Sequence, residues 1–242
     1  MTLILCLKGK DGMVLASDSR GTFGDPRQVT AQNDNQKKVY PLSKFSGMLI
    51  AGSGEFGAMV FSEVHQQMQQ KQDAGVTEVM EVVRNTLKSK FDEWFSPKRF
   101  QLQPMQGVPA PSRPELVVII GGYDVVNGEP KISRIFTLVS ALDFAPMLHD
   151  YGFALQGVGQ YALYLLNRFY KPDASVGNLV ALGAYTIAET ASQDGKVGGP
   201  IQIMTITAQG AKELSASEVK MVADENEKRR EALRGSFYGT GN

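Results

Sequence analysis

The sequence predicts an α+β fold in which pairs of helices cover antiparallel sheets. Two observations predict it. Short apolar runs punctuated by turn residues open each half of the chain, and in each half they give way to two stretches of helical period. The resulting order of strands, two helices, strands, two helices and a strand departs from the strict alternation of a doubly wound sheet.

Residues 3–7 and 13–16 are apolar runs around Lys8-Gly9-Lys10-Asp11-Gly12, and Asp-Gly between two such runs predicts a hairpin. Residues 21–36 are polar, contain Gly24, Asp25 and Pro26, and are predicted to form a loop. Two further strands are predicted over 38–42 and 47–51. From 55 to about 72, Phe56, Met59, Val60, Val64 and Met68 recur at steps of three and four, the period of an amphipathic helix. Val79, Val82, Val83, Leu87 and Phe91 mark a second helix, set off by Gly75, so the two are expected to form a helical hairpin. Pro97, Pro104, Pro109, Pro111 and Pro114 then exclude a helix or central strand and predict an insertion over about 96–114.

The second half predicts strands at 115–123 and 131–138 around Asn127-Gly128-Glu129-Pro130, helices near 160–170 and 176–192, and a closing strand at 201–207. Ser215-Ala216-Ser217-Glu218 is a helix start with Glu three residues after Ser. A charged helix over 218–234 with a thin apolar stripe follows, and then a Gly-rich end expected to be disordered. This divides the chain into one domain, 1–214, and a C-terminal helix with a tail, 215–242.

Composition narrows the function. The chain has 242 residues, 43% of them hydrophobic, enough for a substantial core. Lys plus Arg and Asp plus Glu both total 25, so no net field attracts nucleic acid or an anionic membrane surface. Cys6 is the single cysteine and His65 and His149 the two histidines, too few for a Cys/His metal site; neither a metal nor a cofactor is expected. Cys6, His65 and His149 read as packed or solvated residues. The opening residues lack the pattern of a signal peptide and no apolar run is long enough to span a membrane, so the chain is expected to be cytoplasmic.

The usual phosphate-loop, zinc and serine-elbow signatures are absent. What stands out is Thr2, a hydroxyl residue directly after Met1 and directly before a strand. Removal of Met1 leaves one residue carrying both a nucleophilic Oγ and a free α-amine, whose ordinary pKa of about 8 suits a general base. Thr2 is followed by Lys10-Asp11-Gly12 and by Ala16-Ser17-Asp18-Ser19-Arg20-Gly21-Thr22, then by Lys37-Lys38-Val39-Tyr40, Ile50-Ala51-Gly52-Ser53-Gly54, Ile120-Gly121-Gly122-Tyr123-Asp124, Asn167-Arg168-Phe169-Tyr170 and Gly198-Gly199-Pro200. In motif and order, over roughly 2–207, the chain resembles the proteasome β-type subunits and their bacterial and archaeal relatives among the N-terminal nucleophile hydrolases.

The resemblance implies a four-layer αββα sandwich and a threonine peptidase. Thr2 would be the nucleophile, Lys38 would lie beside its Oγ, Asp18 would pair with Lys38, and Gly54 would supply the oxyanion amide. Asp194 would complete the catalytic set. Arg20 and Thr22 would be structural or substrate-backbone contacts, and Gly52 and Phe56 would line the first specificity pocket. The partners implied are a polypeptide substrate, further copies of the chain in a ring or stacked double ring, and an unfoldase or regulator.

Active members of that family carry two serines where this chain has Val158 and Val197. Two other functions therefore stay open beside the peptidase: a catalytically weak or silent ring subunit that scaffolds or binds, and an acyl-transferring relative that passes the Thr2 ester to an amine.

Overall fold

A computed structural model describes residues 2–24, 30–95 and 114–238. Residues 96–113 of the predicted insertion and 239–242 of the Gly-rich end lie outside the described residues, whereas 235–238, expected to belong to that end, continue the last helix to Tyr238.

The hairpin predicted from Asp11-Gly12 is β1 (Leu3–Lys8) and β2 (Gly12–Ser17), closed by Gly9 N donating to Gly12 O at 2.8 Å. Residues expected to be a loop hold a small hairpin instead, β3 (Gly21–Gly24) and β4 (Thr30–Asn33), whose polar sequences lack the apolar alternation that signals a strand. Next come β5 (Val39–Ser43), β6 (Ser46–Gly52), α1 (Gly54–Met68) and α2 (Val76–Phe95), as the pattern predicts. The second half runs β7 (Leu116–Val126), β8 (Glu129–Val139), β9 (Met147–Leu148), β10 (Phe153–Gly157), α3 (Gly159–Phe169), α4 (Val176–Gln193), β11 (Gln202–Thr207), β12 (Gly210–Glu213) and α5 (Ala216–Tyr238). The short strands β9, β10 and β12 carry too few apolar residues to show a period.

Two antiparallel sheets result, ordered β10-β1-β2-β11-β12 and β5-β6-β7-β8-β9. Side chains alternate across each strand and sort the core into three layers. Leu3, Leu5, Leu7, Val14 and Ala16 face outward against α3 and α4, packing on Ala162, Leu166, Leu179 and Ala184. Ile4, Cys6, Met13 and Leu15 face inward, where they meet Leu49, Ala51, Val117 and Ile119 of the second sheet. The outer face of that sheet, with Met48, Ile50, Val118 and Ile120, packs on Val60, Val64, Val79 and Val83 of α1 and α2. Both faces of the central strands are thus covered, which is why they read as unbroken apolar runs. The architecture is αββα.

Cys6 is fully buried between the sheets and burial pushes its thiol well up, so it is an inert core residue. His149 accepts or donates with Thr137 Oγ1 at 2.8 Å, and His65 is exposed on α1 beside Phe61. The start of α5 is the capping box its sequence predicts: Ser215 N donates to Glu218 Oε2 at 2.7 Å and Glu218 N to Ser215 Oγ at 3.3 Å. Lys212 and then Ser215 lower the Glu218 carboxyl to about 2.

Candidate active site

The inward side of β1, where Ile4 and Cys6 point, ends at Thr2, which is 6% exposed. The backbone fixes its place: Thr2 O accepts from Val158 N at 2.8 Å, beside Gly157, whose φ of +97° and close approach to that carbonyl admit no side chain. Thr2 Oγ1 donates to Asp18 Oδ1 and accepts from Lys38 Nζ. Asp18 follows β2 directly, and antiparallel pairing of β1 with β2 brings the two residues together.

The Asp18 carboxylate is fully buried and well supplied with donors. Leu3 N reaches Oδ1 at 3.0 Å, Lys38 Nζ reaches Oδ1 at 2.7 Å, and Arg20 N and Gly198 N reach Oδ2 at 3.2 and 3.1 Å. Lys38, 3% exposed, also donates to Arg20 O at 2.7 Å. Burial pushes the Lys38 ammonium below its ordinary value, and the Asp18 charge opposes that fall. A buried lysine stays oriented only when its donors are occupied, and here a carboxylate, a carbonyl and a hydroxyl occupy them.

Lys38 is aimed by a residue with no sequence signal of its own. Gln202, at the start of β11, accepts from Lys38 N at 2.9 Å and Val39 N at 3.3 Å and donates to Gln36 O at 2.7 Å. Its polar side chain between Ile201 and Ile203 was the one available hint.

A cleft of about 430 Å³ opens over this group and brings Thr2, Arg20, Thr22, Lys38, Gly52 and Gly54 together. Gly54 begins α1, Ser53 ahead of it makes no side-chain capping bond, and the first turn of a helix carries backbone N–H groups without intrahelical acceptors. With Ser53, Gly54 and Glu55 on the cleft wall, this is a place where an anion can be held. Gln36 also lines the cleft, its amide nitrogen lying where a side chain on Gly54 would stand.

Two expected residues are elsewhere. Phe56 does not line the cleft: it is 7% exposed and packs edge-on against Phe91, with ring centroids 4.7 Å apart, and against Trp94 at 5.0 Å. It shares a stripe with Val60, Val64 and Met68, all four residues apart, and that stripe faces the core, leaving Ile50 on the cleft wall instead. Asp194 is not on the cleft either; it ends α4 and its Oδ1 accepts from Lys196 N at 2.9 Å. Val158 and Val197 are buried among the residues between the first sheet and its helices. Among the described residues no group of three or more His, Cys, Asp or Glu could hold a metal ion, and no helix is long and apolar enough to cross a membrane.

Comparison with known proteins bears on the family and the fold. A family model described as proteasome subunit matches residues 2–102. A proteasome subunit beta of Nanoarchaeum equitans is 25% identical over 223 residues, covering 88% of this chain and 97% of its own length. Proteasome subunit beta 1 of Streptomyces avermitilis is 26% identical over 234 residues, covering 93% and 75%. A solved mutant of Anbu from Hyphomicrobium sp. strain MC1 superposes with a TM-score of 0.69 at 18% identity, covering 100% of this chain and 99% of its own.

Proposed function

We propose, because the chain belongs to the proteasome β-type family and has the αββα fold of the N-terminal nucleophile hydrolases, that it is a threonine peptidase subunit acting on polypeptide. The single observation that carries this is the placement of Thr2 Oγ between Lys38 and Asp18 at the floor of a cleft. Once Met1 is removed, Thr2 Oγ attacks a substrate amide carbon, and its proton passes to the Thr2 α-amine. Lys38 stabilises the developing alkoxide by donating to Oγ, and the N–H groups at the start of α1, Gly54 among them, take the charge that grows on the carbonyl oxygen. The amine returns the proton to the leaving nitrogen as the C–N bond breaks. Water then attacks the Thr2 ester, giving its proton to the same amine, which passes it to Thr2 Oγ as the ester C–O bond cleaves, releasing the carboxylic acid and restoring the hydroxyl and free amine.

The working form is a ring of identical subunits, single or stacked, that confines this cleft, with an unfoldase or regulator delivering substrate. A second reading rests on Val158 and Val197: with hydrocarbon in place of two hydroxyls, the amine and its water lose orienting partners, which favours a weak or silent ring subunit.

Intact-mass spectrometry before and after treatment with a peptide epoxyketone separates them, since the adduct forms only from a free N-terminal amine and the adjacent Oγ. The expected result is a chain lacking Met1 that gains the inhibitor mass, with no gain for Thr2→Ala or Lys38→Ala. A chain that keeps Met1, or loses it and stays unreactive, establishes the silent subunit. Adding a peptide amine to the acylated protein distinguishes hydrolysis from transfer.

A further inference from the structure

The charged pair closest to the Thr2 group that this chemistry leaves unused is Arg20 with Asp34. Asp34 lies between β4 and β5, in the stretch the sequence predicts as loop. Its carboxylate takes Arg20 Nε and Nη2 at 2.7 and 2.8 Å, a two-pronged fork, and these hydrogen bonds hold the Asp34 carboxyl below its usual range. The remaining arm of the guanidinium, Nη1, donates to Gly195 O at 2.9 Å.

Three chain segments meet there. Ser19 Oγ donates to Asp34 O at 2.6 Å, Gln36 N to Ser19 O at 3.0 Å, and Ser19 N to Gly198 O at 3.1 Å. Arg20 lies so flat on the 195–199 turn that a Cβ at Gly198 would stand 2.6 Å from its Cζ and push the guanidinium aside. The same segments supply the groups that aim the site: Arg20 O accepts from Lys38, and Arg20 N and Gly198 N donate to Asp18.

We propose that Asp34 is a positioning residue for the Thr2 site, gripping Arg20 so that the Arg20 carbonyl and the Gly198 amide are held where Lys38 and Asp18 need them. Asp34 touches none of the reacting atoms. Its side chain is 41% exposed, so the fork itself adds little stability and its effect on the site can be read separately. The anions facing Lys38 are Asp18, beyond β2, and Asp34, ahead of β5; Arg20, Lys37 and Glu55 stand around the cleft. Removing the Asp34 charge therefore also lowers the pH at which Lys38 ionises.

The rate part of this inference rests on the peptidase reading; the Lys38 part does not. The test compares wild type, Asp34→Asn and Asp34→Glu by two measurements. One is the pH profile of the epoxyketone inactivation rate, with inhibitor affinity measured apart. The other is trace acetylation with acetic anhydride across pH 6–11, quantified by mass spectrometry at the Lys38 peptide, which follows Lys38 ionisation whether or not the protein is active. Asp34→Asn is expected to lose about tenfold in inactivation rate with affinity unchanged, as loss of an outer partner does at other sites. The alkaline limb of its profile and the Lys38 midpoint should move together to lower pH, and Asp34→Glu should recover most of both. Matching rate, profile and midpoint overturn the proposal, and so does a rate loss that only tracks a lowered melting temperature with the profile unmoved. A wild type that forms no adduct defeats the peptidase reading instead, and the Lys38 midpoint alone then decides: moved in Asp34→Asn, the proposal stands; unmoved, it falls.

Discussion

The β5–β6 hairpin buries polar side chains at both of its ends, and the two ends are built differently. At its turn, Ser43 and Ser46 share a hydroxyl hydrogen bond of 2.7 Å, and Ser43 Oγ donates to Ala74 O at 3.0 Å. At its open end, Lys38 and Asp18 form an ion pair at 2.7 Å with side chains 4% and 0% exposed, beside Thr2. Neutral hydroxyls hold a turn at small cost, whereas taking an ammonium and a carboxylate out of water costs several kcal/mol per ion and repays stability poorly. A fold that needed only to close this hairpin could do so with serines at both ends. The charged end makes sense as a reactive arrangement, and the structure surrounds Asp18 with backbone donors to sustain it.

The largest expected effect falls at the charged end. Asp18→Ala strands a buried ammonium and should cost about 3–5 kcal/mol in urea unfolding, while Asp18→Leu combined with Lys38→Met should recover part of the loss, the N–H groups of Leu3, Arg20 and Gly198 staying without their acceptor, and still form no epoxyketone adduct. If the double variant is as unstable as the single one, the pair is needed for stability and the contrast between the two ends fails. At the turn, Ser43→Ala leaves the Ala74 carbonyl and the Ser46 hydroxyl short of a partner and should cost only about 1 kcal/mol, with adduct formation at the wild-type rate. A comparable loss at both ends would erase the difference.

The smallest effect is in pH dependence. Burial depresses Lys38, so over the range between its folded value and the free lysine value of about 10.4 the unfolded chain holds a proton that the folded chain has released. Unfolding then takes up a proton, and this residue's contribution to stability rises with pH across that range. Urea unfolding at several pH values should show a stability difference, wild type minus Lys38→Met, that grows toward alkaline pH; a flat difference means that Lys38 titrates as it does in water.

Much of this was legible one residue at a time. Apolar runs on both sides of Asp11-Gly12 give β1 and β2, the four-residue steps of Val60, Val64 and Met68 give α1, and Ser215 with Glu218 gives the start of α5. The Thr2, Asp18 and Lys38 set was legible through motif order, since each of its members adjoins a strand that the sequence marks. The resemblance put Phe56 in the first specificity pocket beside Gly52, whereas its place on the stripe of Val60, Val64 and Met68 turns it to Phe91 and Trp94.

What sequence alone determined, then, is the set of elements, their faces and the candidate nucleophile, because those depend on residues a few positions apart. The tertiary structure decided how Lys38 is aimed. Gln202 reaches it across 164 positions, Gly198 reaches Asp18 across 180, and Arg20 grips Gly195 across 175. No periodicity or spacing encodes such contacts, for they exist only once strands distant in sequence pair and loops at the same end of the sandwich are pressed together.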